Sequence, residues 1–483
     1  MTLIENFLKG HGPTLSGELI KLMRSEESVS DEAIRKRLSR TGGSVLKLKG
    51  FFADNQVLFF LKEQYRTPEY FEGLVRTFPE AARRYHAVIV ALQYHHGFIH
   101  KDRLASYTFS PTNKLLGHKR FDHIIEDLLK WELIHVEGDY ISTTERADLN
   151  ASANFSYSKG IELARMVVLY QFAEWARAIG IVSYDSITTD SEFGKLQWSF
   201  TAPSYITGIT QHGGVKVRPA FVVADVLVGK ESTLDDIQFF LRKVDIIKNQ
   251  RNRSNFLPYL ITQGLEQDAF KELKRRGIIT AAVNKLFGNE YLELLKSLIA
   301  TITNAGAILK ANPDAYLKLL EQLEKLSGGK TNNLRGDLFE LAVGYYHSVC
   351  QSLDIGRLIN HDGIQRELDV YAVYHNEVRI AECKGYKYAL DKETVEKWLT
   401  EKVPVAYKWV IDPARQQGKP VFFEMWSTGG FTPDAEQYLR EQAEKTKKYK
   451  IEFYAEKEIT QKARGSSKKK ITEIMREYFS KEV

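Results

Sequence analysis

The sequence predicts a multidomain chain in which two small α+β modules precede two larger α/β domains. Three observations lead there. The 483 residues suffice for about three or four cores of ordinary domain size. Hydrophobic residues make up 43% and aromatic residues 12%, which excludes a disordered chain. The succession of helical and strand patterns in residues 151–300 also recurs in residues 334–460, so one layered α/β pattern is expected twice.

Several classes are excluded early. No apolar run approaches the ~20 residues needed to span a bilayer, the best being Ala87 to Leu92. The opening Met1 to Glu5 lacks the basic stretch and cleavage site of a signal peptide. Cys350 and Cys383 are the only cysteines and give no disulfide framework, which fits a reducing compartment. A cytoplasmic protein with no membrane partner is therefore expected.

Residues 1–66 read as three helices and a hairpin. Leu3 to Leu8 is a first helix, ended by Gly10 to Pro13, and Leu15 to Met23 is a second. Ser30-Asp31-Glu32 is a helix start with acids in the first turn. The third helix runs to about Ser39, and Val45 to Phe52 alternates with Gln56 to Lys62 around Asp54-Asn55. This is the winged-helix order. Arg35, Lys36, Arg37 and Arg40 lie along the third helix, where they fit insertion into a DNA groove or a solvated protein-binding face. Residues 67–150 repeat the order more weakly, with helices over Ala81–Tyr94, Lys101–Tyr107 and Arg120–Trp131 and a hairpin over Ile134–Ile141. The histidines here (His86, His95, His96, His100, His118 and His123) match no zinc spacing and are expected in loops or on the surface.

In the first α/β copy a helix over Ile161–Ala178 opens the pattern, a helix over Leu234–Asn249 follows the strands, and Leu257–Ile261, Glu266–Arg276 and Ile278–Ala281 close it as strand, helix and strand. In the second copy the matching segments are Leu334–Val349, Lys392–Trp409, Val421–Met425, Pro433–Ala443 and Ile451–Tyr454. Residues 301–333 are a helical connector ending in the turn-rich Ser327 to Asn333. From Glu441 to the end, Lys and Arg outnumber Glu by 12 to 8. The tail, residues 461–483, carries Lys468, Lys469 and Lys470, which fit phosphate neutralisation and an ordinary solvated end equally well.

The chemistry concentrates between Arg366 and Tyr386. Both flanks of His375-Asn376 are rich in β-branched and aromatic residues and read as strands. With His375-Asn376 as a symmetric loop, Tyr374 faces Glu377, and the same register carries Asp369 opposite Glu382. Opposed side chains have Cβ atoms ~5 Å apart on one face, and Lys384, two residues beyond Glu382, points to that face. Two opposed acids in an apolar hairpin are destabilising unless a cation lies between them. Hard oxygen ligands of this kind suit magnesium. Glu340, on the opening helix of the copy, is a third acid. The alternative reading makes Glu382 and Lys384 an ordinary strand salt bridge.

Taken with its helix and strand order, this set of residues resembles the PD-(D/E)xK nuclease superfamily. The text around Phe339-Glu340, Leu368-Asp369-Val370 and Glu382-Cys383-Lys384-Gly385-Tyr386 is most similar to Mrr-type restriction endonucleases and Holliday-junction-resolvase-like nucleases. The resemblance covers about a quarter of the chain, and Leu368 stands where the family motif has proline. It implies two restriction-endonuclease-like folds, the second active, with Asp369, Glu382 and Glu340 as metal ligands and Lys384 as the catalytic lysine. It further implies Mg2+, with Mn2+ able to substitute, a DNA substrate, and a place in restriction or anti-phage defence as a homodimer or beside other defence-system subunits. In the first copy Asp225 lines up with Glu382 and Leu227 with Lys384. With the hairpin loop at Gln211 to Gly214, the residue facing Asp225 is expected among Phe200, Thr201 and Ala202. The first copy is then a silent nuclease fold or an unrelated α/β domain. The competing functions are a non-catalytic winged-helix DNA-binding regulator and a structure-specific or RNA nuclease.

Overall fold

A computed structural model describes residues 3–26, 30–213, 216–251, 253–312, 314–327, 335–412, 415, 418–466 and 470–479. Lys468 and Lys469 lie outside the described residues, and Lys470 is exposed.

The chain opens with α1 (Leu3–His11), β1 (Thr14–Leu15), α2 (Ser16–Glu26), α3 (Asp31–Arg40), β2 (Val45–Leu48) and β3 (Leu58–Leu61). α1 continues through Gly10 and stops before Gly12, which adopts φ 71°, a conformation natural only to glycine. Ser30 caps α3 by accepting the Ala33 amide, while Asp31 and Glu32 sit at the positive end of the helix. The hairpin strands are shorter than expected, and β1 adds a third strand against β3. Arg35, Lys36, Arg37 and Arg40 are all exposed on α3, with Lys36 paired to Glu32 at 3.1 Å.

The second module has α4 (Pro68–Arg76), α5 (Phe78–Ala81), α6 (Arg83–Tyr94), β4 (Phe98–His100), α7 (Lys101–Leu104), α8 (Phe121–Lys130), β5 (Ile134–Glu137) and β6 (Tyr140–Thr143), with strand order β4-β6-β5. The expected helix from Ala81 is split, because Ala82 leaves helical geometry (φ −136°, ψ 47°). The expectation for the histidines fails at His95. It is fully buried, 3.3 Å from Glu162 of the next domain and against the Tyr107 ring.

The first α/β domain begins with α9 (Phe155–Ala178), which starts earlier than Ile161 because Asn154 caps it through the Tyr157 amide. The strands β7 (Thr188–Phe193), β8 (Leu196–Ser204), β9 (Gln211–Gly213), β10 (Lys216–Arg218) and β11 (Ala220–Leu227) follow. Then come α10 (Gln238–Lys248), β12 (Phe256–Thr262), α11 (Gln267–Arg275) and β13 (Ile279–Ala282). The connector contributes α12 (Val283–Phe287), α13 (Asn289–Thr303), α14 (Ala305–Ala311) and α15 (Asp314–Ser327). The second α/β domain has α16 (Arg335–His347), β14 (Ser352–His361), β15 (Ile364–Val373), β16 (Val378–Lys384), α17 (Lys392–Lys397), α18 (Val403–Val410), β17 (Val421–Ser427), a helix over Pro433–Lys445 and β18 (Lys450–Tyr454).

The two larger sheets share one topology. Their orders are β13-β12-β11-β8-β7 and β14-β15-β16-β17-β18. In each, the first three strands pair antiparallel and the last two add in parallel. Each parallel step requires a crossover, which a helix supplies. One apolar core joins the two domains through α9, α13, α15 and α16. Gly160 allows the close approach of α9 to α13, since a Cβ there would lie 3.1 Å from the Ile299 backbone. The second domain has a further core on the opposite face of its sheet, under α17, α18 and the Pro433–Lys445 helix. No single helix among the described residues is long and apolar enough to cross a membrane.

One register differs from expectation. Ala224 pairs with Phe200, so the next step places Ser199, not Phe200, Thr201 or Ala202, beside Asp225. The cause is the small β9–β10 ladder, which pairs Lys216 with Gly213 out of step with the main hairpin. A one-residue slip exchanges the faces of a strand.

Candidate active site

The β15–β16 ladder runs from Val373–Val378 to Val370–Ala381, and the Tyr374 amide donates to Glu377 at 2.8 Å. The next step brings Asp369 alongside Glu382. There the regular ladder gives way, and the Asp369 carboxylate accepts the Cys383 amide at 2.7 Å. Asp369 is 5% and Glu382 6% exposed, so neither acid is a surface group.

Glu382 is held by two lysines. Lys384 lies 2.8 Å from Oε1. Lys402 lies 2.9 and 2.7 Å from the two carboxylate oxygens and 3.8 Å from Asp369. Burial pushes the Glu382 carboxyl up, but Lys384 and Lys402 together overcome it and hold the group at about 2. Asp369 moves the other way. Burial and then the Glu382 charge raise it to about 6. Burial disfavours the Lys384 ammonium, but Glu382 and Asp369 raise its pKa well above the usual lysine range. The pair of acids is thus split into one firmly ionised and one proton-binding carboxyl.

Lys402 reaches this point through an irregularity in the helix expected over Lys392–Trp409. Residues Trp398–Lys402 form a π turn, with the Val403 amide donating to Trp398. Pro404 has no amide to give to Thr400, so an α-helical bond is missing at that turn. Pro404 was the available sequence signal.

Glu340, from α16, approaches Asp369 from a different element than Glu382 does. Carboxylate oxygens of Glu340, Glu367 and Asp369 all lie within 4.8 Å of one another. Glu367 precedes Asp369 by two residues on β15 and therefore shares its face. Sequence reasoning overlooked it, although the strand alternation would have found it. The cluster also receives Lys159 of α9, at 2.9 Å from Glu340 and 2.5 Å from Glu367. Burial disfavours its charge, but Glu340, Glu367 and Asp337 raise the Lys159 pKa well above its usual range. Glu340 is itself driven well up, by burial and by its acidic neighbours. Lys159 comes from the other α/β domain, and no local pattern announces it. The donor set is carboxylate oxygen only, which fits a hard divalent cation such as magnesium rather than a thiophilic metal.

The first domain carries a related but closed arrangement. Asp225 accepts from the Ser199 amide at 3.0 Å and its hydroxyl at 3.1 Å, and pairs with Lys243 of α10 at 2.8 Å. Both members of the pair are fully buried. Burial raises the Asp225 carboxyl and lowers the Lys243 ammonium. Leu227, in the place of Lys384, is core.

No family model matches the chain, and neither does any curated protein. Among solved structures it has a partial likeness to the MspJI restriction endonuclease in complex with a 27-mer oligonucleotide (TM-score 0.21, 13% identity, 36% of this chain and 34% of that one). It is also similar in part to the DNA modification-dependent restriction endonuclease AspBHI (TM-score 0.19, 11% identity, 32% of this chain and 41% of that one). A third is protein VC1899 from Vibrio cholerae (TM-score 0.17, 9% identity, 48% of this chain and 55% of that one). The alignments span from about a third to about half of those chains, and scores of this size carry no weight for function.

Proposed function

We propose that the chain is a metal-dependent DNA endonuclease of restriction or anti-phage type, reacting at the Asp369–Glu382–Lys384 edge of the second α/β domain. The observation that carries this reading is the meeting of Asp369 with Glu340 and Glu367, from β15 and α16, beside the Glu382–Lys384 pair of β16. Lys159, Lys384 and Lys402 offset part of the cost of bringing these acids together, and a bound divalent cation would offset the rest.

A magnesium ion would be held by Asp369, Glu340 and Glu382, with Glu367 next to them, and would supply Lewis-acid polarisation of the phosphodiester. Lys384 then neutralises charge that develops on a non-bridging phosphate oxygen and orients the attacking water. Lys402 keeps Glu382 ionised and fixed, so that Lys384 is free to turn toward the phosphate. The buried floor of β16 and β17 keeps bulk water from this side of the sheet. Exposed Arg35, Lys36, Arg37 and Arg40 on α3, with the basic tail, supply sequence-independent contacts to the DNA backbone.

The test is plasmid DNA incubated with the full chain and magnesium, with calcium in parallel. Nicking that needs magnesium and disappears in Lys384→Ala is the expected result. Tight DNA binding with no cutting in any divalent ion would overturn the nuclease reading and favour a winged-helix regulator.

A further inference from the structure

The segment after Lys384 places two tyrosines in solvent beside the acid cluster. Tyr386 is 39% and Tyr388 64% exposed. Their rings lie parallel, with centroids 4.9 Å apart and an interplanar angle of 11°. Single exposed tyrosines occur elsewhere in the chain, but here two exposed rings stack into one apolar surface.

The two rings stand on a fixed backbone. Arg335 donates to the Gly385 carbonyl at 2.8 Å, and Thr428 donates its hydroxyl to the Tyr386 carbonyl at 2.8 Å. The Thr428 amide holds the Lys384 carbonyl at 3.1 Å. Leu390 closes the segment, donating to Gly430 and accepting from Thr432, each at 2.9 Å. Gly429 packs so close that a Cβ there would lie 1.8 Å from the Tyr388 carbonyl oxygen. None of these bonds uses a tyrosine ring. The scaffold fixes the platform and leaves its outer faces open.

Position supplies the rest of the argument. Tyr386 and Tyr388 follow Lys384 by two and four residues, just beyond the end of β16, where the chain bends at Lys387 and Tyr388. Two residues span at most roughly 7 Å of backbone, so the Tyr386 ring lies within about the reach of a neighbouring nucleotide from the reactive lysine. Lys387, exposed and between the two tyrosines in sequence, and Lys384 add positive charge to the segment. A base inside a duplex has both faces covered by its neighbours, whereas an unpaired base offers a face to an aromatic side chain.

We propose that Tyr386 and Tyr388 are a stacking platform for an unpaired DNA base next to the scissile phosphate, so that the substrate carries a single-stranded stretch, as at a flap, gap or branch. This rests on the nuclease reading above and specifies its substrate.

The experiment measures binding of the full chain, in EDTA, to fluorescein-labelled single-stranded, flap and fully duplex oligonucleotides by anisotropy. The double variant Tyr386→Ala/Tyr388→Ala is compared with Tyr386→Phe/Tyr388→Phe and with Tyr388→Ala alone. The alanine pair is expected to weaken single-strand and flap binding about tenfold or more and to leave duplex binding in place, while the phenylalanine pair behaves as the parent. Equal loss on duplex and single strand, no loss at all, loss in the phenylalanine pair, or a parent that binds no single strand would overturn the platform. Magnesium-dependent cutting of the flap oligonucleotide by the parent, measured alongside, tests the nuclease reading separately. Cutting with an unaffected alanine pair sinks only the platform, and tyrosine-dependent flap binding without cutting sinks only the nuclease.

Discussion

The two α/β domains share strand order and direction, yet they place charge differently at matching strands. In the first, Asp225 on β11 has Ser199 beside it and Lys243 closing the pair, all out of contact with solvent. In the second, Glu382 on β16 has Asp369 beside it, two lysines on it, and a second layer of acids from α16 and β15. One carboxylate with one ammonium is a satisfied core pair. Excess carboxylate, partly open, is what the proposed divalent-ion site would need. The lesson is that a shared topology fixes where a strand acid sits, while its neighbours decide whether it can react.

The sharpest test breaks the second site and leaves the first intact. Asp369→Ala should abolish cutting and weaken divalent binding together. Lys384→Ala should bind calcium as the parent does and cut about a hundredfold more slowly, or roughly 3 kcal/mol in the barrier. Calcium titration by calorimetry, with a nicking assay, separates the two outcomes. Parental cutting by Lys384→Ala would show that the reaction occurs elsewhere.

The converse test breaks the first domain. Asp225→Ala strands Lys243 in a dry core. Removing one member of a buried pair costs about 3–5 kcal/mol, which should appear as an earlier unfolding transition in urea. The double change Asp225→Leu/Lys243→Met should recover most of the loss. Cutting per folded molecule should stay within a few-fold of the parent in the double variant. If the single variant is as stable as the parent, the buried pair described here is wrong.

A pH series reports on the second site through Asp369. Burial and the Glu382 charge raise Asp369 to about 6, so protons compete with the ion below that value. Calcium affinity should fall as pH drops, most steeply below about 6, where Asp369 takes up a proton in addition to Glu340. The sign for the ion-free protein is opposite. A carboxyl raised in the fold contributes stability at low pH, and that contribution is lost as pH rises through about 6. Lys402→Met should move the calcium profile to higher pH, since it removes a cation that favours ionised Asp369. A profile flat from pH 5 to 8 would show that Asp369 does not take part in binding.

What could be read in advance follows from the range of each signal. The Asp369–Glu382 register was legible because a two-residue loop and strand alternation determine it locally. The matching register in the first domain was not, because the β9–β10 ladder intervenes in a turn whose length alone does not reveal it. Glu367 was legible from strand parity and overlooked. Lys402 depends on a helix widened at Pro404, a geometry that the amphipathic pattern hides. Lys159 depends on how two domains pack, which nothing near residue 159 in the sequence encodes.

Lys159 also offers the smallest effect and the most direct test of whether the two domains work together. Its ammonium lies 2.9 Å from Glu340 and 2.5 Å from Glu367, on carboxylates that a divalent ion would need. In the ion-free protein it compensates their charge, and on binding it would oppose the incoming cation. Lys159→Met keeps the length and apolar stem of the side chain but removes the charge. Calcium should then bind about tenfold more tightly, roughly 1.4 kcal/mol. That is well below the bare Coulomb figure, because the desolvation of the lysine is relieved at the same time. Without calcium the variant should melt earlier than the parent, since Glu340 and Glu367 lose their partner, and the calcium-induced rise in melting temperature should be larger. Weaker calcium binding in Lys159→Met would mean that the lysine supports the site, and the first domain would then complete the second rather than restrain it.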